Sequence, residues 1–431
     1  MSADHPAPPT TAADDPGGRT ARRLVVTVVL AAVVPVVYLL GTPHNFFDLK
    51  IYMKAMRFWA DGHPLYDYAQ PDRVQGELYF TYPPFSALLL RPFADLRLGV
   101  TVAIFTILTS LAVVVTTWWL VKPIADRRGI PRWFAAGVAI PLVFAAESTR
   151  ETITFGQINM LLVVLILADL LFAVPRNSRW AGVGIGLATA LKLFPGIFII
   201  YLLAARRWRE AVVASATAAV ATLLAAAVAP GDSWRFWTHE LWSTDRVGRT
   251  DYTGNQSLYG LLSRFTVPEK PDQLLWLSLV AVIGGYGLWR ASRAARGGDG
   301  LAGLALTGLV GSLVSPISWT HHVYWFIPAV LVLADASVAS PSGWEPAGTS
   351  RRHRRTLLVL AVVVYGSVVY GVVSFHDWGS APQPTDSPVE FVLRNMYVLL
   401  AVVLLLVLPT RHLVRTAPAS SSSRSGVPVT H

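Results

Sequence analysis

The chain contains no cysteine. Disulfides, thiol nucleophiles and zinc–thiolate centres are therefore excluded. Charge is also scarce: 14% of the 431 residues are Asp, Glu, Lys or Arg, while 53% are hydrophobic. A soluble globular chain carries about a quarter charged residues, so that class is excluded too. No HExxH zinc motif, DxD or multi-aspartate cluster occurs, which leaves metal catalysis without a sequence signature. No loop joins a dense basic patch to stacking aromatics, as a nucleic-acid groove would. No convincing internal repeat is visible either, although transporters often show paired ones.

What is present is long apolar runs, at about 24–41, 98–121, 133–146, 160–174, 181–204, 211–229, 274–289, 301–314, 323–339, 356–375 and 391–408. Mean hydropathy is +0.47 and the pI is about 9.9. The expected fold is an all-α polytopic membrane bundle of about 11–12 segments. Residues 1–21 and 411–431 read as disordered cytoplasmic ends rich in Pro, Ala, Ser and Thr. Residues 22–410 form one integral membrane domain. The run Leu24–Leu40 has the look of a signal peptide, but it is long enough to span and no small-residue cleavage site follows it. We read it as a retained first helix.

The net charge of +10 is concentrated in short loops. Arg19, Arg22 and Arg23 precede the first run. Lys122/Arg127/Arg128/Arg132, Arg176/Arg179, Arg206/Arg207/Arg209, Arg290/Arg293/Arg296, the 351–355 "RRHRR" and Arg411/Arg415 mark further cytoplasmic loops. One step breaks the alternation. Arg176/Arg179 and Arg206/Arg207/Arg209 both read as inside, yet one run separates them. That run carries "LKLFPG", with Lys192 and Pro195 near its middle. A mid-membrane lysine is costly and proline disrupts a helix. The parity predicts two half-length helices turning at Lys192, and both termini inside.

The loops at 42–97, 147–159, 230–273, 315–322 and 376–390 are then extracytoplasmic, and the unusual polar residues collect there. Asp48 lies in "NFFDLKIY", where the phenylalanines read as membrane anchors for the acid. A carboxylate among bulky apolar neighbours carries a desolvation cost, although a helix cap at the membrane edge is the plain alternative. Tyr82 lies in "FTYPPF", expected on or in the interface. Glu147, Arg150, Gln157 and Asn159 lie in "ESTRETITFGQIN". Asn255 and Gln256 lie in "GNQSLYG", near Trp234, Trp237 and Trp242. His321 and His322 lie in "SPISWTHHVYW". Adjacent helical residues point about 100° apart, so the histidines suit a phosphate better than a shared metal. The set describes one site for a polar, anionic, hydroxyl-rich ligand presented from a lipid.

"FFDLKIY", "FTYPPF", "GQIN", "ALKLFPG", "GNQSLYG" and "SPISWTHH", in that order, resemble the bacterial polyprenol-phosphate-mannose-dependent α-(1→2)-mannosyltransferases of the GT-C superfamily, over about residues 22–410. The resemblance implies a polyprenyl-phosphate-mannose donor and a lipid-linked mannoside acceptor: a phosphatidylinositol mannoside, lipomannan or lipoarabinomannan of a cell envelope. It implies a plasma-membrane enzyme acting on the outer face, with Asp48 as the catalytic carboxylate. A β-linked donor giving an α-linked product means inversion in one displacement. Asp48 fits a base on the acceptor hydroxyl, and Lys192 with His321 or His322 fits the donor phosphate. Glu147, Arg150, Gln157, Asn159, Tyr82, Asn255 and Gln256 fit sugar or acceptor hydroxyls. No cofactor or metal is expected, since a lipid monophosphate lacks the diphosphate that metals usually clamp. Competing readings are a polyprenyl-phosphate-arabinose-dependent arabinofuranosyltransferase, a lipid transporter or flippase, and a structural scaffold.

Overall fold

The computed structural model describes residues 16–72, 76–339, 350–371, 373 and 384–411. Most of the expected unstructured ends therefore lie outside the described residues, as does most of the 376–390 loop. The first helix starts at Pro16, inside the stretch expected to be disordered, and runs to Leu40. Proline is tolerated in a first turn because its missing N–H has no intrahelical partner there.

The described residues are mostly helical. Among the described residues, five helices are long and apolar enough to cross a membrane: Gly17–Leu40, Leu98–Arg128, Trp208–Val228, Gln273–Arg296 and Arg351–Tyr370. Shorter apolar helices at Arg132–Ala145, Asn159–Ala173, Phe194–Ala204, Gly300–Val314 and Phe326–Ser337 fill the bundle. The first helix leaves Leu24, Val34 and Tyr38 63–83% exposed, a surface suited to lipid rather than water. A short hairpin pairs Ala69–Asp72 with Gly76–Tyr79 in antiparallel register.

The run 391–408, expected as one segment, is two helices, Pro388–Arg394 and Met396–Val407, bent by 76°. The break is at Asn395, fully buried, whose Oδ1 accepts from Nε and Nη2 of the buried Arg264 at 3.0 and 2.5 Å. A charged donor pair recruits that side chain, and the helix gives way around it.

The break at Lys192 is also present. Val183–Leu191 is a helix, Lys192 is extended (φ −152°, ψ 132°), Phe194–Gly196 is a 3₁₀ turn, and Ile197–Ala204 is a second helix. The two pieces double back. Arg207 Nη1 donates to Asn177 Oδ1 at 3.3 Å, and Arg209 donates to the Ser178 carbonyl. The two basic loops that broke the charge alternation therefore meet at one end, and Lys192 occupies the opposite tip. Helix Trp208–Val228 packs along this hairpin. A Cβ on Gly186 would lie 2.4 Å from the Ala214 carbonyl oxygen, so that close backbone approach requires glycine.

The segment between the first two long helices folds onto the bundle. Asp232 accepts from Trp59 Nε1 and from the Leu65 N–H, both at 2.9 Å, tying it to helix Pro230–Thr238. "FTYPPF" does not lie out on a surface. Tyr82, Pro83 and Pro84 are buried, and Pro84 opens the short helix Pro84–Leu90. Phe46, expected as a membrane anchor, instead packs partly buried against the core.

Candidate active site

Asp48 sits in the first turn of helix Phe47–Ala60, where helix-end N–H groups favour a carboxylate. The entry to this helix is unusual. Asn45 and Phe46 both have positive φ, 52° and 54°, a conformation costly for a bulky residue. It is held by the Phe46 N–H donating to the Thr154 carbonyl at 2.7 Å. Thr154 belongs to helix Glu147–Phe155, which ends at Gly156 with φ 73°. A Cβ there would lie 2.6 Å from Leu49 Cβ. Glycine thus serves twice, as a left-handed helix end and as the contact that seats this loop on the Asp48 helix.

Gln157 follows directly. Its Nε2 donates to Asp48 Oδ2 at 2.5 Å, and its Oε1 accepts from the Tyr82 hydroxyl at 2.8 Å. Tyr82 is hydrogen-bonded to Tyr52 at 2.7 Å between hydroxyls, and its carbonyl accepts from the Tyr66 hydroxyl at 2.8 Å. Lys192 Nζ completes the chain: 3.2 Å to the Tyr82 hydroxyl, 3.0 Å to Asn159 Oδ1 and 2.9 Å to His322 Nε2. Among the described residues the Asp48 carboxylate makes no other hydrogen bond, so Oδ1 is free to receive a proton. Desolvation by burial pushes the Asp48 carboxyl up to about 6, with the Gln157 hydrogen bond pulling the other way.

Five sequence candidates, Asp48, Tyr82, Gln157, Asn159 and Lys192, thus share one hydrogen-bonded chain with His322. His321 stands beside it with its ring 4.5 Å from that of His322 and nearly perpendicular to it. Among the described residues both its ring nitrogens are buried without a partner, and its carbonyl accepts from Asn159 Nδ2 at 3.1 Å. A narrow cleft opens from Lys192, His321 and His322 between Leu162, Ile166, Phe194 and Trp325. One end of it is polar and the other is apolar.

Glu147 and Arg150 are not on this chain. The Tyr397 hydroxyl donates to Glu147, and Arg150 donates to the carbonyls of Ala145, Val369 and Leu40. With Thr42, Glu151 and Thr154 they line a separate small polar cavity. Asn255 and Gln256 also stand apart. Asn255 Nδ2 donates to the Thr250 and Pro316 carbonyls and Oδ1 accepts from the Ser318 N–H. Gln256 Nε2 donates to the Thr253 and Arg394 carbonyls and Oε1 accepts from the Tyr397 N–H. Both amides brace backbone, away from the chain that joins Asp48 to Lys192.

Sequence reasoning missed Tyr52 and His44. Tyr52 is four residues after Asp48, so one helix face carries both; that spacing is the signal. His44 stacks on Phe155 at 3.7 Å and lies 3.7 Å from Glu151 Oε1. Nothing in its local sequence marks it.

A helical membrane bundle with an ionisable chain buried beside an apolar cleft is the layout of an integral-membrane enzyme that works on lipid-borne polar groups. The chain belongs to glycosyltransferase family 87, which it matches over residues 80–316. It is 34% identical over 349 residues to the polyprenol-phosphate-mannose-dependent alpha-(1-2)-phosphatidylinositol mannoside mannosyltransferase of Mycobacterium tuberculosis, covering 74% of this chain and 80% of that one. An alpha-(1->3)-arabinofuranosyltransferase of the same species is 29% identical over 54% of this chain and 51% of its own length. ArnT from Cupriavidus metallidurans, solved bound to undecaprenyl phosphate, aligns at TM-score 0.34 and 17% identity over 91% of this chain and 77% of that one. The transferase reading thus stands, and the transporter and scaffold readings lose their ground.

Proposed function

We propose that the chain transfers mannose from a polyprenyl-phosphate-mannose donor to a phosphatidylinositol mannoside as an α-(1→2) linkage, on the outer face of the membrane. The observation that carries this is the hydrogen-bonded chain from Asp48 to Lys192 and His322. It sets a free carboxylate oxygen at one end and the Lys192–His322 pair, suited to phosphate, at the other, beside an apolar cleft. The donor phosphate lies against Lys192 and His322, and the start of the polyprenyl chain lies between Leu162, Ile166, Phe194 and Trp325. The acceptor hydroxyl oxygen attacks C1 of the mannosyl group, its proton passes to Asp48 Oδ1, and the C1–O bond to phosphate breaks with inversion. Comparable carboxylates act as bases on water in inverting glycosidases. The departing lipid phosphate gains negative charge, which preorganised donors stabilise. No metal enters this reading. Lipomannan and lipoarabinomannan remain further acceptors to test.

Similarity to an arabinofuranosyltransferase over about half the chain favours one second reading, a polyprenyl-phosphate-arabinose donor acting through the same residues. Membranes supplied in turn with each radiolabelled polyprenyl donor and phosphatidylinositol mannosides separate the two. Mannosyl transfer alone supports the proposal, and arabinosyl transfer alone overturns it.

A further inference from the structure

We propose that Lys192 and His322 form an uncharged hydrogen-bonded pair in the donor-free enzyme, and that seating the donor's phosphodiester draws one proton from solvent onto Lys192. The inference rests on the reading of this pair as the donor phosphate site.

A backbone amide fixes the histidine tautomer. The Trp319 N–H lies 3.1 Å from His322 Nδ1. A backbone amide can only donate, so Nδ1 offers its lone pair and the ring proton resides on Nε2. Nε2 is the atom 2.9 Å from Lys192 Nζ. An ammonium has three donors and no acceptor. Facing Nε2–H, it would set two N–H groups against each other. A neutral amine fits: its lone pair accepts from Nε2–H, and its two N–H groups donate to the Tyr82 hydroxyl at 3.2 Å and Asn159 Oδ1 at 3.0 Å. Every proton then has one acceptor.

The other groups facing Lys192 agree. Tyr82 is committed as donor to Gln157, so toward lysine it acts as acceptor. Asn159 presents its oxygen because its Nδ2 is bonded to the His321 carbonyl. Asp48 and Tyr52 on helix Phe47–Ala60 reach Lys192 only through Tyr82 and Gln157. His321, the remaining titratable neighbour, makes no hydrogen bond through its ring among the described residues. Among the described residues Asp48 is then the charge that Lys192 faces.

A diester phosphate brings a second negative charge. Its oxygens enter between Nζ and Nε2, Nε2–H donates to one of them, and the freed lone pair of Lys192 takes a proton from water or buffer. The resulting ammonium donates to phosphate while keeping Tyr82 and Asn159. When the glycosidic bond breaks, this cation already stands at the oxygen that gains charge.

The test is calorimetric titration of the full chain in detergent micelles with methyl farnesyl phosphate, a diester with no ionisation near neutrality. It is run at mildly alkaline pH in two buffers of different ionisation enthalpy. The expected result is uptake of close to one proton per diester bound, with affinity falling about tenfold per pH unit on the alkaline side. Lys192→Arg, permanently charged, is expected to bind the diester without uptake, and Asp48→Asn to retain uptake. Binding by the wild type with no proton uptake overturns this inference alone. Uptake lost in Asp48→Asn, or kept in Lys192→Arg, also overturns it by placing the proton elsewhere. Failure of the wild type to bind the diester overturns the donor-site reading and this inference together.

Discussion

Gln157 holds Asp48 with a 2.5 Å hydrogen bond from Nε2 to Oδ2, and the same amide accepts from Tyr82. The carboxylate is thereby fixed through one oxygen and left open at the other. Gln157→Leu is expected to keep the fold and lower kcat by about one to two orders of magnitude, because proton transfer depends on the base being held in place. Steady-state kinetics on membranes with matched protein levels check this.

The same bond sets a pH dependence. The proposed base must be ionised, so kcat/KM rises with pH as Asp48 loses its proton, near pH 6 in the wild type. Burial holds that value up and the Gln157 hydrogen bond holds it down. Removing Gln157 therefore moves the acidic limb to higher pH. A limb that stays in place, or moves lower, contradicts the assignment.

Gly156→Ala tests how the site is seated. The new methyl meets Leu49 Cβ at 2.6 Å in a backbone with φ 73°. The expected cost is about 1–3 kcal/mol, read as a lower Tm in detergent, and activity falls further than stability because Gln157 is the next residue.

The apolar cavity gives a prediction about chain length. Ile166→Trp fills the cleft that Ile166 lines together with Phe194 and Trp325. The expected outcome is a KM for a long-chain polyprenyl donor raised by about tenfold or more, with a short-chain donor affected less. Equal effects on both donors would place the lipid chain elsewhere.

Much of this architecture is legible in the amino-acid sequence, for identifiable reasons. Charge parity requires a turn at Lys192, and the Arg209 contact to Ser178 shows the two basic loops meeting. Asp48, Gln157 and Lys192 stand out because polar groups beside apolar runs carry a cost that needs an explanation. What stays hidden depends on partners remote in sequence. Asn255 and Gln256 look like sugar ligands until the carbonyls of Thr250, Pro316, Thr253 and Arg394 are seen to take their amides. The 76° bend at Asn395 needs Arg264, more than a hundred residues away. Phe46 turns inward because the left-handed entry to its helix, tied to Thr154, cannot be read from alternating apolar letters.

The role of Asp48 as the base is central to the proposed mechanism. Its most direct test is Asp48→Asn, a near-isosteric change that keeps a hydrogen-bonding group beside Gln157 and removes the proton acceptor. Transfer of radiolabelled mannose from polyprenyl-phosphate-mannose to phosphatidylinositol mannosides is measured beside donor binding. The mechanism predicts normal expression, retained donor binding and a loss of transfer of about 10²–10⁴-fold. Full transfer activity in that variant would remove Asp48 from the role of base.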